Sequence, residues 1–268
     1  MKVATLQMNS GPDVTLNLSA AGSLLSTAAA GGAVLAVLPE NFAIMGAREA
    51  DRLAVAESPG AGPIQDALAE LAQMLKLWIV AGTLPIRGQA PDRIAPASIV
   101  FDANGKQVAR YDKIHLFDVD IPEKREIYRE SATFERGNEP ILVETPAGML
   151  GLSVCYDVRF PELYRQLSAR GAQLLAVPAA FTVPTGLAHW EVLLRARAVE
   201  NLCYVLAAAQ WGPHANGRET YGDAMIVDYW GRVLARQASG AGVVLAEIDP
   251  VAQAGVRAGF PALAHRVL

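Results

Sequence analysis

The sequence predicts an α/β fold with covered, mixed sheets. Three observations carry that expectation. Short apolar runs bounded by Gly, Pro or Asp alternate with longer segments of helical period. The apolar runs are nearly continuous, as in strands buried on both faces. Two turns, Asp102-Ala-Asn-Gly105 and Tyr229-Trp-Gly231, read as hairpins and add antiparallel pairs.

Taken in order, residues 3–8 read as the first strand. Residues 14–29 read as a helix that stops at Gly31-Gly32, and 33–38 as a buried strand. Glycines and serines interrupt the apolar stretch 20–38, which holds too few strongly apolar residues for a membrane span. A helix over 63–77 starts on Pro63 and repeats Ile64, Leu68, Leu71 and Leu75. Strands over 78–84 and 98–101 follow. The stretch 118–139 is polar, contains Pro122 and Gly137, and lacks a period, so it reads as a long loop of the kind that often carries function. A strand over 149–154 leads to a helix over 161–170 that opens on Pro161 and stops at Gly171. After a strand over 173–177, a helix over 187–201 shows Trp190, Leu193, Leu194 and Val199 on its apolar side. Strands over 203–208, 224–228 and 243–248 complete the pattern.

With 268 residues, 52% hydrophobic and 19% charged, the chain can bury one sizeable core, and a single domain over 1–268 is expected. Net charge is −4 and no block of Lys or Arg stands out, which argues against a nucleic-acid binder. The first residues enter an apolar run too short for a signal peptide. Two cysteines, Cys155 and Cys203, argue against a disulfide scaffold and fit a reducing, cytoplasmic setting.

Cys155 ends an apolar run just before the helix that Pro161 opens. A side chain at such a strand-to-helix turn is expected to be exposed at the carboxyl edge of the sheet, where α/β sites lie. The N–H of Tyr156 would then lie beside an attacked carbonyl. A free cysteine is more commonly a buried structural residue, and that is the expectation for Cys203, inside an apolar run. A nucleophilic thiol needs a base or a cation. His115, His189, His214 and His265 are all open by spacing. Glu40, after Val34-Leu-Ala-Val-Leu-Pro39, and Lys113, after Val108-Ala-Arg-Tyr-Asp112, also end strand-like runs. A charge at a strand end is often merely solvated; a glutamate, a lysine and a cysteine in equivalent places suggest one convergent site.

Leu38-Pro-Glu40-Asn-Phe, Tyr111-Asp-Lys113-Ile-His-Leu-Phe-Asp118 and Gly151-Leu-Ser-Val-Cys155-Tyr-Asp-Val-Arg-Phe-Pro-Glu162 together resemble the signatures of the nitrilase superfamily of carbon–nitrogen hydrolases. The resemblance runs along essentially the whole chain. It implies a four-layer α-β-β-α sandwich with two mixed sheets. It also implies a catalytic triad of Glu40 as general base, Lys113 as oxyanion cation and Cys155 as nucleophile, with no cofactor and no metal. Glu130, in Tyr128-Arg-Glu-Ser131, matches a second glutamate of many family sites. A homodimer or higher homo-oligomer packed through the helices near Cys155 and over 187–201 is implied as well.

The segments Phe181–Glu191, 193–201 and Tyr221–Gly231 are similar to an amidase branch that includes deaminated glutathione amidase and ω-amidase, with Tyr229 standing where that branch has Pro. The resemblance implies a thiol amidase that cleaves the terminal amide of a small carboxylated substrate to acid and ammonia through a Cys thioester. Deaminated glutathione is favoured, followed by α-ketoglutaramate and N-carbamoyl amino acids. A nitrile-cleaving enzyme and a silent scaffold are less in keeping with the pattern. Such a substrate needs a cation. Arg159 is the candidate by analogy with relatives that hydrolyse N-carbamoyl acids, and Arg125 and Arg129 lie on the polar stretch. Phe181, His189 and Trp190 are candidate lining residues. Glu191, Arg195, Arg197 and Glu200 are spaced to pair along a helix.

Overall fold

The computed structural model describes residues 1–48, 50–121 and 126–267. In chain order the elements begin with β1 (Lys2–Met8), α1 (Val14–Ala30), β2 (Ala33–Val37), α2 (Asp51–Ala54), α3 (Pro63–Leu75), β3 (Trp78–Val80) and β4 (Leu84–Arg87). Then come β5 (Ile94–Phe101), β6 (Gln107–Asp112), β7 (Asp118–Ile121), β8 (Glu126–Arg129), β9 (Leu142–Thr145), β10 (Gly148–Leu152) and α4 (Pro161–Ala169). The last third holds β11 (Leu174–Ala176), α5 (Val183–Asn201), β12 (Tyr204–Ala207), β13 (Ala209–Pro213), β14 (Glu219–Tyr221), β15 (Ala224–Val227), β16 (Val233–Gln237), β17 (Gly242–Glu247) and α6 (Pro250–Gly259).

The strands form two large mixed sheets and one small hairpin. The first sheet runs β14-β13-β1-β2-β3-β5-β4, with β17 also on β1 and β6 also on β5; the second runs β16-β15-β12-β11-β10-β9. β1 pairs in parallel with β2, and β10, β11 and β12 are parallel neighbours. The alternation of β1 shows how the layers stack. Ala4, Leu6 and Met8 point to Leu25 of α1 and Leu68 of α3. Val3 points the other way, into a core shared by Leu35 and Val37 of the first sheet, Leu150 and Leu152 of the second, and Trp190 and Leu194 of α5. The result is the four-layer α-β-β-α sandwich. Each fully buried Leu or Val stabilises it by about 1.5–3 kcal/mol.

Several expectations change at this level. The stretch 118–139 is not one irregular loop: β7 and β8 pair as an antiparallel hairpin, and a 3₁₀ turn over Glu130–Ala132 follows. Each strand is only four residues long; Val119 and Ile121 alternate with aspartates in β7, but Ile127 of β8 is exposed, so the strand signal is short and broken. Pro122 and Arg125 lie outside the described residues. The helix expected from 187 begins at Val183, with Pro184 in its first turn. Val199, assigned to its apolar side, is 51% exposed, as are Leu187 and Val192 at 71% and 61%. The run 203–208 ends where the chain changes sheets: β12 belongs to the second sheet and β13 to the first. Both hairpin turns, at Gly105 and Gly231, are present. Along α5, Arg195 pairs with Glu191 at 3.4 Å and Arg197 with Glu200 at 2.6 Å, a structural use of those charges.

Candidate active site

Glu40, Lys113 and Cys155 lie at carboxyl ends of strands, but of different sheets. Glu40 follows β2 and Lys113 follows β6 in the first sheet; Cys155 follows β10 in the second. The cleft therefore opens where the two sheet edges face each other.

The Glu40 segment is fixed by its neighbours. Asn41 takes a left-handed backbone, φ +56°, and its N–H donates to Thr83 Oγ1 at 2.8 Å. Gly82 packs so closely that a Cβ there would stand 1.8 Å from the Pro39 carbonyl oxygen. Gln210 Nε2 donates to the Glu40 carbonyl at 3.1 Å and to Ser10 Oγ at 2.8 Å. The Ala180 N–H donates to Glu40 Oε2 at 2.9 Å.

The Lys113 backbone is clamped on both sides. Its N–H donates to Pro96 O at 3.1 Å, and its carbonyl accepts from Gly137 N at 2.9 Å. The Lys113 ammonium is fully buried, 2.9 Å from Glu40 Oε1 and 2.9 and 3.1 Å from the two oxygens of Glu130. Glu130 Oε2 also accepts from the Phe117 N–H at 2.8 Å. Burial alone would lower the Lys113 pKa, but the Glu130 and Glu40 carboxylates hold it well above the usual lysine range. Burial raises the Glu130 carboxyl above the usual carboxylate range, with Lys113 opposing and Glu40 adding to the rise.

Cys155 sits at φ +48°, in the left-handed region, where a non-glycine residue stores about 1–3 kcal/mol of strain. Its N–H donates to Pro178 O at 2.9 Å. The side chain is buried at the base of the cleft, 8% exposed, rather than open at the sheet edge as expected. Burial raises its thiol pKa well above the ordinary value, the Glu40 carboxylate adds to the rise, and Lys113 and the Ala180 N–H oppose it. These effects together favour the protonated thiol over the thiolate.

Glu40, Lys113, Glu130, Cys155, Tyr156, Arg159 and Phe181 all line one cleft, and so does Arg129. Tyr156 meets Phe117 edge-on at 5.0 Å. The Arg159 guanidinium lies 5.8 Å from the Tyr156 ring centre and 5.3 Å from that of Phe181. Trp190 is fully buried behind Phe181 and donates from Nε1 to Asp223 O at 2.8 Å, so it supports the wall without lining it. His189 faces Arg159 at 3.2 Å.

His115, His189 and His214 each have side-chain partners outside Glu40, Lys113 and Cys155. His115 Nδ1 lies 2.6 Å from Asp157, and His265 is exposed near the chain end. His214 lines the cleft, yet Nδ1 donates to the Ser10 carbonyl at 3.0 Å and Nε2 lies 2.7 Å from Thr220 Oγ1. Burial lowers its pKa. Cys203 is fully buried in the core, as expected, with its thiol pushed up to about 12. Sequence reasoning missed Asn41, Thr182, Thr185 and Thr220 as lining residues. Asn41 and Thr182 adjoin Glu40 and Phe181, so adjacency to the motifs was the available signal; Thr220 had none.

A thiol, a carboxylate and a buried ammonium converge on one cleft, a set suited to attack on an electrophilic carbon bonded to nitrogen. The carbon–nitrogen hydrolase family model matches residues 2–257. A deaminated glutathione amidase of Synechocystis sp. is 47% identical over 98% of this chain and 97% of that protein. The crystal structure of the C. elegans NitFhit protein superposes with a TM-score of 0.92 at 40% identity, over 99% of this chain and 65% of that one. An amidase from Nesterenkonia sp., described with acrylamide added at its active-site cysteine, gives a TM-score of 0.80 at 28% identity, over 97% and 98% of the two chains. The chain belongs to the carbon–nitrogen hydrolase family of the nitrilase superfamily and is a hydrolase of carbon–nitrogen bonds other than peptide bonds.

Proposed function

We propose that residues 1–268 act as one catalytic domain, a thiol amidase in which Cys155 is the nucleophile, Glu40 the general base and acid, and Lys113 the oxyanion cation. The observation that carries this reading is the buried Lys113 ammonium, held between Glu40 and Glu130 in the cleft that Cys155 also lines.

The protons balance as follows. As the Cys155 sulfur bonds to the amide carbon, Glu40 takes the thiol proton and the carbonyl electron pair moves onto oxygen. Lys113 Nζ and the Tyr156 N–H stabilise that oxyanion, each such donor being worth about 10²–10³ in rate. The oxyanion collapses, the carbon–nitrogen bond breaks, and Glu40 gives its proton to the departing nitrogen. Water then adds to the thioester as Glu40 removes its proton. Collapse releases the acid, and the sulfur recovers the proton. Glu130 fixes Lys113 and lines the cleft beside the incoming water.

The favoured substrate is deaminated glutathione, on the strength of relatives that carry that name and of Arg159 and Arg129 at the rim. Ammonia, the product expected from the sequence, does not fit that substrate. The scissile nitrogen of deaminated glutathione belongs to its cysteine residue, so the leaving group is cysteinylglycine; ammonia marks a primary ω-amide such as α-ketoglutaramate. Purified protein should release α-ketoglutarate and cysteinylglycine from deaminated glutathione with kcat/KM above that for α-ketoglutaramate. Fast ammonia release from α-ketoglutaramate with no turnover of deaminated glutathione would overturn the substrate assignment. Carbon dioxide release would point to an N-carbamoyl acid instead. The exposed Leu187, Val192 and Val199 on α5 support a homodimer through that helix, which light scattering on Val192→Glu tests: the variant should shift toward monomer.

A further inference from the structure

Asp157 carries a fully buried carboxylate that does not line the cleft. Oδ2 accepts from the Tyr111 hydroxyl and from the Val154 N–H, both at 2.7 Å. Oδ1 accepts from the His115 N–H at 3.1 Å and lies 2.6 Å from His115 Nδ1. An ionised carboxylate is an acceptor only, so Nδ1 carries the hydrogen of that contact. Four donors match the roughly four lone-pair sites of the ion. A buried charge would otherwise cost several kcal/mol.

The four donors come from two places in the chain. Tyr111 and His115 stand two residues to either side of Lys113. Val154 and Asp157 itself bracket Cys155. One carboxylate therefore ties the segment that carries the ammonium, from the first sheet, to the elbow that carries the thiol, from the second. The His115 ring adds a second tie: it lies flat on Phe160, ring centres 3.7 Å apart and planes 4° apart, on the far side of the same elbow. The elbow is the strained point that needs holding, since Cys155 is left-handed.

We infer that Asp157 is a positioning residue that sets the distance and direction between the Lys113 ammonium and the Cys155 thiol, with Tyr111 and His115 as its straps. It touches neither substrate nor reacting atoms. The inference rests on the reading of Lys113 and Cys155 as catalytic. A displacement of about 1 Å between reacting groups can cost about 10² in rate, so the ties act on kcat and leave substrate affinity alone.

Tyr111→Phe removes one strap and keeps the ring; Asp157→Asn removes the charge. Each is measured for kcat, KM and thermal unfolding, alone and combined with Lys113→Met. Tyr111→Phe should lower kcat about tenfold and Asp157→Asn about 10²-fold, with KM within about twofold and cooperative unfolding retained. In the Lys113→Met background the same changes should have much smaller effects, because no ammonium is left to aim. An unchanged kcat in folded Tyr111→Phe overturns the inference; that variant decides the matter if Asp157→Asn does not fold. Equal losses with and without Lys113 also overturn it, since they mark a general loss of structure. Wild-type turnover by Cys155→Ala would instead overturn the catalytic reading beneath it, whatever the straps do.

Discussion

The floor and the rim of the cleft are built differently. At the floor, Lys113 Nζ faces three carboxylate oxygens, and Glu40 and Glu130 each accept a backbone N–H. At the rim, Arg159 rests on two aromatic rings and a histidine nitrogen, and Arg129 bonds Asp120 and nearby carbonyls on the exposed β7–β8 hairpin. A buried charge that loses its partner costs about 3–5 kcal/mol, whereas an exposed ion pair is worth about 0–1 kcal/mol. The floor can therefore hold one geometry tightly, and the rim can reorient toward a substrate. In the account proposed here the floor sets the reaction and the rim selects the acid.

The division breaks if floor substitutions leave kcat intact. Cys155→Ala should drop turnover to background, a loss of about 10⁴-fold or more, in steady-state assays of a protein that still unfolds cooperatively. Lys113→Met should cost about 10²–10³ in kcat through the lost oxyanion cation. It should also lower Tm, because Glu40 and Glu130 lose their common counter-ion. Adding Glu130→Gln should restore Tm without restoring kcat. A kcat that recovers along with Tm would make Lys113 purely structural.

The rim gives a smaller effect of another kind. Arg159→Leu should raise KM for a carboxylated amide about tenfold with kcat within about twofold. A fall in kcat at constant KM would move Arg159 into the floor.

The smallest effect tests the neutral thiol. Buried Cys155 ionises well above the ordinary range, while the unfolded thiol ionises near about pH 8.5. Above that pH the unfolded chain sheds a proton that the folded chain keeps. Stability therefore falls as pH rises, by up to about 1.4 kcal/mol per unit. Lys113, also shifted upward, acts in the same direction at higher pH. In thermal melts over about pH 8–10, Tm of Cys155→Ser should decline less steeply than that of the unaltered protein. Equal slopes would contradict the buried neutral thiol.

The same contrast explains what was legible in the sequence. Apolar runs stopping at Glu40 and Cys155 are visible without coordinates, and Lys113 ends a strand-like run of mixed residues, Val108-Ala-Arg-Tyr-Asp112. β7 and β8 were hidden because the polar/apolar alternation of Asp118-Val-Asp-Ile121 is only four residues long and β8 breaks it by turning Ile127 outward. The sheet change between β12 and β13 falls inside one apolar stretch and has no signature in residue type. α6 was not expected from the sequence, although its signals were there: Asp249 caps it through the Val251 and Ala252 N–H groups and Pro250 opens it. Asp157 stood in plain view beside Cys155. Its role depends on Tyr111 and His115, which fold alone brings to it.

The mechanism requires the acyl group to pass through the Cys155 sulfur. Rapid quenching during turnover of deaminated glutathione, followed by intact-mass and peptide mapping, tests it most directly. An α-ketoglutaryl thioester should form on Cys155, disappear as substrate is exhausted and be absent from Cys155→Ala. Turnover by Cys155→Ala, or an acyl adduct on another residue that forms and decays at the rate of turnover, would contradict it.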